Sequence, residues 1–192
     1  MIVLVLNTGS SSVKYQVINP EVNVLTVEDP VEYVIEGARQ LKIGYKMNFE
    51  QAIRSILRHD PDIIMIGEIR DAETAEIAVR AALTGHLVFS TIHARHSVGC
   101  LHRLHDLGIP YEDMLQTLIG IAAQKIVPMY EDLDQLETKH RALYEILCDE
   151  SLADAIRSAK QQQEYELPEH LSFGGQIREG VRIGALHAGF EC

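Results

Sequence analysis

The stretch Asp62-Ile63-Ile64-Met65-Ile66-Gly67-Glu68-Ile69-Arg70-Asp71 constrains the fold more than any other part of the chain. Its apolar run is short, opened by Pro61 and closed by Gly67. A run of this kind reads as a strand buried on both faces. Glu68 then stands at the carboxyl end of a central strand, where open α/β sheets bind ligands. In a nucleotide hydrolase, a carboxylate there suits the orientation of a water or an Mg²⁺ ion. It equally suits an acid that caps the strand end and pairs with Arg70. Spacing alone leaves both readings open.

The flanks extend the pattern. Asn48 opens a helix with Phe49, Ile53, Ile56 and Leu57 on one face, and Asn48 with Gln51 forms a capping box. His59-Asp60-Pro61 ends it. Asp71 caps a second helix whose buried stripe is Ala75, Ala78, Val79, Ala82 and Leu83, and Gly85 ends that one. Leu87 to Thr91 is another buried strand, followed by Ile92-His93. Alternating helix and strand predicts a parallel sheet with right-handed crossovers. Upstream, a strand from Asn23 to Val27 runs into Glu28-Asp29-Pro30-Val31-Glu32-Tyr33, an acid-rich end able to hold a divalent cation or to form a solvated turn. Ile35 to Tyr45 reads as loop or short strand. Glu28, Glu68 and His93 all follow apolar strands, so a parallel sheet brings them to one edge, where a phosphate and a metal would bind.

At the beginning, Ile2 to Leu6 reads as a strand, Asn7 to Ser12 as a tight polar turn, and Val13 to Ile18 as a second strand. Backbone amides and hydroxyls of Gly9, Ser10, Ser11 and Ser12 can cradle a phosphate, with Lys14 as a point charge. An ordinary Ser-rich hairpin is the alternative. Further on, Ser97 caps a helix containing Leu101 and Leu104. Tyr111 to Ala123 reads as an amphipathic helix, and Gln124 to Val127 as a strand. Met129 to His140 reads as a surface connection, Arg141 to Cys148 as a strand, Ser151 with Asp154 as a helix start, and Ile177 and Val181 as the core of a last short helix. His96, His102 and His105 can meet on one helix face, although no acid or cysteine is placed to complete a metal site.

A formal net charge of -11 argues against direct nucleic-acid binding. Cys100, Cys148 and Cys192 include no C-x-x-C pair, which fits a reducing cytoplasm rather than a disulfide or zinc scaffold. No apolar run approaches the roughly 20 residues of a membrane span. The opening Met-Ile-Val-Leu lacks the basic region of a signal peptide.

Two resemblances follow from these residues. Val3-Leu4-Val5-Leu6-Asn7-Thr8-Gly9-Ser10-Ser11-Ser12-Val13-Lys14-Tyr15 resembles the opening of acetate kinases, where the loop contacts phosphate. From Asn23 onward the chain resembles the motor domain of the type II secretion, type IV pilus and DNA-uptake ATPases. That likeness is carried by Leu25-Thr26-Val27-Glu28-Asp29-Pro30-Val31-Glu32-Tyr33, by Ile53 through Asp71, and by Ala81-Ala82-Leu83-Thr84-Gly85-His86-Leu87-Val88-Phe89-Ser90-Thr91-Ile92-His93. The link around Tyr144 to Leu147 looks most like competence-type members.

The second resemblance implies an α/β, RecA-like, mostly parallel sheet with flanking helices, preceded by a β-hairpin and followed by a small helical part. It divides the chain into residues 1–20, 21–128 and 129–192. Glu28 and Glu32 match an acidic box that assists metal and water. Glu68 matches the Walker B glutamate, and Arg70 follows it. His86 and His93 match a histidine box. ATP and Mg²⁺ are the implied cofactors. The implied assembly is a homo-oligomer, hexameric in the family, working with secretion or pilus machinery at the cytoplasmic side of a membrane. One departure bears on all of this: no Gly-Lys pair occurs anywhere in the chain, so the G-x-x-x-x-G-K-[ST] loop is absent. The chain reads as two pieces joined near Asn19 to Val22, as in a fusion or truncated product. The expected consequences are impaired hydrolysis and a sheet face left uncovered. A non-catalytic assembly subunit, an engineered fusion and an acetate-kinase-like phosphotransferase are the alternatives.

Overall fold

Ile64 and Ile66 are completely buried, and the sheet built around them is the frame of the molecule. The structure, a computed structural model, describes residues 2–7 (backbone only), 22–44, 47–129, 140–183 and 186. Its strands are β1 (Ile2–Asn7), β2 (Val24–Glu28), β3 (Ala38–Lys42), β4 (Ile63–Ile69), β5 (Leu87–Ile92), β6 (Leu118–Pro128) and β7 (His140–Cys148). Its helices are α1 (Phe49–Ile56), α2 (Ala72–Leu83), α3 (Ser97–Asp106), α4 (Tyr111–Thr117), α5 (Asp149–Lys160) and α6 (Phe173–Arg182). The strands form one sheet in the order β3-β2-β4-β5-β1-β6-β7. Every pairing is parallel except β6 with β7. The mostly parallel sheet with flanking helices is therefore as expected.

Three helix signals act where they were expected, although Leu83, expected in the buried stripe of α2, is 49% exposed. Asn48 accepts from the Gln51 amide at 2.9 Å, and Gln51 Oε1 accepts in return from the Asn48 amide at 3.2 Å, closing the capping box of α1. Asp71 accepts from the Thr74 amide at 2.8 Å at the start of α2. Gly85, with φ of 101°, provides the left-handed turn that ends it.

Burial separates the two faces of the sheet. Val27, Ile66, Ser90, Ile121 and Leu147 follow one another across the register and are all buried. Helices α1, α2, α4 and α5 touch in succession, and α3 joins α5. Between the strands and these helices lies the core, which includes Ile53, Ile56, Ala78, Leu101, Met114 and Ile156. On the other face, Met65 and Phe89 are only half-buried. Toward the β7 edge of that face, Tyr144 and Ile146 are exposed by 51% and 55%. The expectation that the Ile63–Ile66 strand is buried on both faces is thus met in full on one face only.

Four boundaries differ from the sequence reading. β1 pairs with β5 on one side and β6 on the other, so it is an inner strand and not one arm of a hairpin. The expected second arm, Val13 to Ile18, lies outside the described residues. The helix expected from Tyr111 to Ala123 ends at Thr117, and the chain turns directly into β6. Leu118, Ile121 and Ala123 sit at a spacing compatible with either element. Their place between β1 and β7 makes them strand, an instance of tertiary pairing overriding local pattern. His96, rather than Ser97, caps α3: its Nδ1 accepts from the Gly99 amide at 3.1 Å. Finally, α5 starts at Asp149, earlier than Ser151.

Candidate functional site

The carboxyl ends of β2, β4 and β5 lie side by side at one edge of the sheet. Next to β5 is β1. From β5 the chain moves along the sheet to β6, whereas from β1 it moves the opposite way to β2. Neighbouring strands with diverging connections define the switch point at which open α/β sheets bind ligands. Gly9, Ser10, Ser11, Ser12 and Lys14 follow β1 in sequence but lie outside the described residues.

Glu28 is the last residue of β2 and is 8% exposed. Its Oε1 accepts from Thr26 Oγ1 at 2.6 Å and from Gln40 Nε2 at 2.8 Å. Thr26 shares the face of Glu28 because side chains alternate along a strand. Gln40, on β3, also donates to the Tyr33 carbonyl at 2.8 Å and accepts from the Ile35 amide at 2.8 Å. One amide side chain thus holds both the acid and the turn that follows it. Glu32 is on that turn and is exposed. Sequence reasoning missed Thr26 and Gln40. The i, i+2 spacing of Thr26 and Glu28 is the only local signal of either.

β4 runs on past Gly67 to Ile69, so Glu68 belongs to the strand rather than to the loop after it. The pairing of β4 with β5 shifts register between Ile66 and Ile69. Such an irregularity re-aims a side chain at the end of a ladder. A Cβ built on Gly67 would lie 3.4 Å from Glu28 Cα and 3.4 Å from the Val27 carbonyl oxygen, so β2 and β4 approach closely here. Thr91 Oγ1 on β5 donates to the Gly67 carbonyl at 2.7 Å, fixing the irregular peptide from the other side.

Glu68 faces two basic groups. Arg70 Nη2 donates to Oε1, and His93 Nε2 stands 3.4 Å from Oε2. Oε2 is itself buried and receives no hydrogen bond. The hydrogen bond from Arg70 is the largest cause that holds the Glu68 carboxyl below its ordinary range. Burial opposes it, and the charges of Arg70 and His93 add to it. The same hydrogen bond raises the Arg70 guanidinium, with the charge of Asp29 contributing. The Arg70 carbonyl accepts from Arg103 Nη2 of α3 at 3.3 Å.

The structure brings Arg70 and His93 to Glu68, with Glu28 at the end of the neighbouring strand, its Oε1 held by Thr26 and Gln40. It does not bring His86 to them. His86 precedes β5, at the opposite edge of the sheet, about 20 Å of strand away from His93. Its Nδ1 lies 3.1 Å from Thr84 Oγ1 and 3.2 Å from the Ala81 carbonyl, at the end of α2. His105 stacks on Tyr111 with ring centroids 4.4 Å apart. Among the described residues no three His, Cys, Asp or Glu side chains are grouped to hold a metal, so His96, His102 and His105 form no such site. No helix among the described residues is long and apolar enough to cross a membrane.

The carboxylates at the edge fit a metal ion or a metal-bound water. Oε2 of Glu68 is an ionised, buried acceptor without a donor, and a water or a metal-bound water satisfies such a group. Glu28 supplies a second carboxylate on the neighbouring strand.

The sequence and the fold are similar to those of known proteins. A family model described as "Type II/IV secretion system protein" matches residues 5–181. The competence protein ComGA of Bacillus subtilis is 39% identical over 182 residues, which is 85% of this chain and 49% of that protein. Type II secretion system protein E of Pseudomonas aeruginosa is 51% identical over 107 residues, 55% of this chain and 21% of that protein. The pilus retraction motor PilT, solved with bound ADP, superposes with a TM-score of 0.77 at 28% identity, covering 97% of this chain and 59% of that one. The ATPase DotB of Legionella pneumophila gives 0.72 at 26% identity, with 97% and 57% covered. The chain spans about half the length of ComGA and a smaller share of the type II secretion proteins.

Proposed function

The chain belongs to the type II/IV secretion system protein family, and we propose that it carries the nucleotide-binding core of a secretion, pilus or DNA-uptake motor. The single observation that carries this reading is the approach of His93 Nε2 to Glu68 Oε2 at the carboxyl ends of two adjacent parallel strands, with Glu28 ending the next strand, beside the switch point. In this reading Glu68, kept ionised by Arg70, orients the attacking water through its unpartnered Oε2. Glu28 and Glu68 would hold Mg²⁺, which would supply neutralisation of charge on the phosphates. His93, exposed beside Glu68, would be available to the terminal phosphate. Glu32 assists from the acidic turn. Gly9 to Lys14, which follow the first strand in sequence, would supply the phosphate contacts.

The absence of a Gly-Lys pair sets the expected strength. Without the P-loop lysine, both ground-state affinity and stabilisation of developing charge fall. Weak nucleotide binding and slow or no hydrolysis are therefore part of the reading, as are a homo-oligomeric ring and docking at the cytoplasmic side of a membrane machine. The same absence favours a second reading, a non-catalytic subunit that packs in or against such a ring.

Titration of a labelled ATP analogue with Mg²⁺ into the parent chain and into Glu68→Ala separates the two. Saturable binding in the parent, with altered metal dependence in Glu68→Ala, supports the nucleotide core. Absence of saturation up to millimolar nucleotide refutes it in favour of the assembly subunit. Hydrolysis as fast as that of intact relatives would overturn the expected impairment.

A further inference from the structure

Glu145 lies on β7 with 4% exposure, and it is the one buried carboxylate among the described residues outside the site edge. Its Oε2 accepts from the Ser97 amide at 3.0 Å and from Ser97 Oγ at 3.2 Å. Its Oε1 accepts from the Phe173 amide at 2.8 Å. Ser97 and Phe173 are the first residues of α3 and α6. Two helix N-termini thus converge on one acid supplied by a third element. The first amides of a helix have no partner within it, and its dipole favours negative charge at that end.

Glu145 is not replacing a missing cap. α3 already has His96 bonded to Gly99, and α6 has Ser172 Oγ accepting from Gly175 at 3.1 Å. What Glu145 adds is a joint between the two helices. The α3 end of that joint is close to the site in sequence and in space. Ser97 follows His93 by four residues. A Cβ on Gly99, in the first turn of α3, would stand 3.5 Å from Ala94 Cβ, so the helix start rests on the segment that carries His93. Further along α3, Arg103 reaches the Arg70 carbonyl.

We propose that Glu145 is a positioning residue: by holding the starts of α3 and α6 on one buried carboxylate, it sets the placement of His93 beside Glu68 and couples the C-terminal helix to that site. The proposal deepens the nucleotide-site reading and rests on it for its functional meaning. The joint itself is testable without nucleotide.

The test uses the full chain and Glu145→Gln, which keeps the side-chain size but presents a donor where amides also donate. Amide hydrogen exchange is read at Ser97 and Phe173. The His93 imidazole resonance is read by NMR and assigned through its loss in His93→Gln. Protection at Ser97 and Phe173 falls at least about tenfold, protection at Ala78 in α2 is kept, and the His93 resonance moves. Unchanged protection overturns the joint. Lost protection with an unmoved His93 resonance overturns the coupling, because a merely structural bond leaves that resonance alone. If Glu145→Gln does not fold, Glu145→Asp draws the carboxylate back from both helix starts, and an unmoved His93 resonance there overturns the proposal equally. A parent that fails to bind the ATP analogue refutes the nucleotide reading, while these readouts still decide the joint.

Discussion

Replacing Arg70 by Gln tests the electrostatics of the site most directly. In the folded chain Arg70 donates to Glu68 Oε1 and is the first cause of that carboxyl's low titration range. The Glu68 side chain is 25% exposed and that of Arg70 is 63% exposed. An exposed pair contributes about 0.2–1 kcal/mol, and the largely covered carboxylate places this one at the upper end, about 1 kcal/mol. By linkage, removing Arg70 raises the pH at which Glu68 half-protonates, because the hydrogen bond that favours its ionised form is lost. A carboxyl held low in the folded state contributes stability that is complete above its unfolded value of about 4.3 and is lost as pH falls through the folded value. Arg70→Gln should therefore be about 1 kcal/mol less stable than the parent at pH 7 by urea denaturation. That difference should shrink as the solution is acidified through the Glu68 range. In a Glu68→Gln background the Arg70 substitution should cost little, because the pair is already gone. In 1 M salt the coupling should weaken, since screening then acts within about 3 Å. An unchanged Glu68 titration in Arg70→Gln, or an Arg70 effect that persists in Glu68→Gln, would refute the pairing as the cause.

Other substitutions probe the frame. In Gly175→Ala the new Cβ would fall 1.6 Å from the Glu169 carbonyl oxygen, so α6 must shift; proteolysis should then cut near residues 169–173 in the variant and spare the parent. Met114→Ala empties a fully buried position beside a small apolar cavity lined by Ile69, Val79, Leu104 and Ile109, and should lower unfolding stability by about 2–5 kcal/mol in urea. Asn48→Ala removes the α1 cap and should cost about 1 kcal/mol in the same assay. In a Cys192→Ser background, a thiol reagent should modify the exposed Cys148 and spare Cys100. Burial hides Cys100 and pushes its thiol far up, and modification of both before unfolding would contradict the core described.

Much of the frame was legible because its signals are local. The capping box at Asn48, the Asp71 cap and the Gly85 stop each act within one helical turn, and each operates in the structure. The strand around Ile64 and Ile66 was legible from its unbroken apolar run, and with it the placement of Glu68 near a strand end. Periodicity also placed β5, and hence His93, at the same edge.

What was not legible depends on partners distant in the chain. Leu118 to Ala123 can form either a helix or a strand, and only the free edges of β1 and β7 make it β6. That β1 is an inner strand follows from its two parallel neighbours, neither of which is adjacent in sequence. The separation of His86 from His93 follows from β5 lying between them, which places the two histidines at opposite edges. Thr26 and Glu145 lie in stretches that carry the family likeness and Gln40 does not, but the partners of all three exist only once β3, β7 and the helix starts are packed together. Sequence alone determined which segments bury apolar surface and where local hydrogen bonds start and stop them. Tertiary structure alone decided which strand edges pair and which distant polar groups meet, because those contacts become favourable only when a remote partner has already been brought into reach.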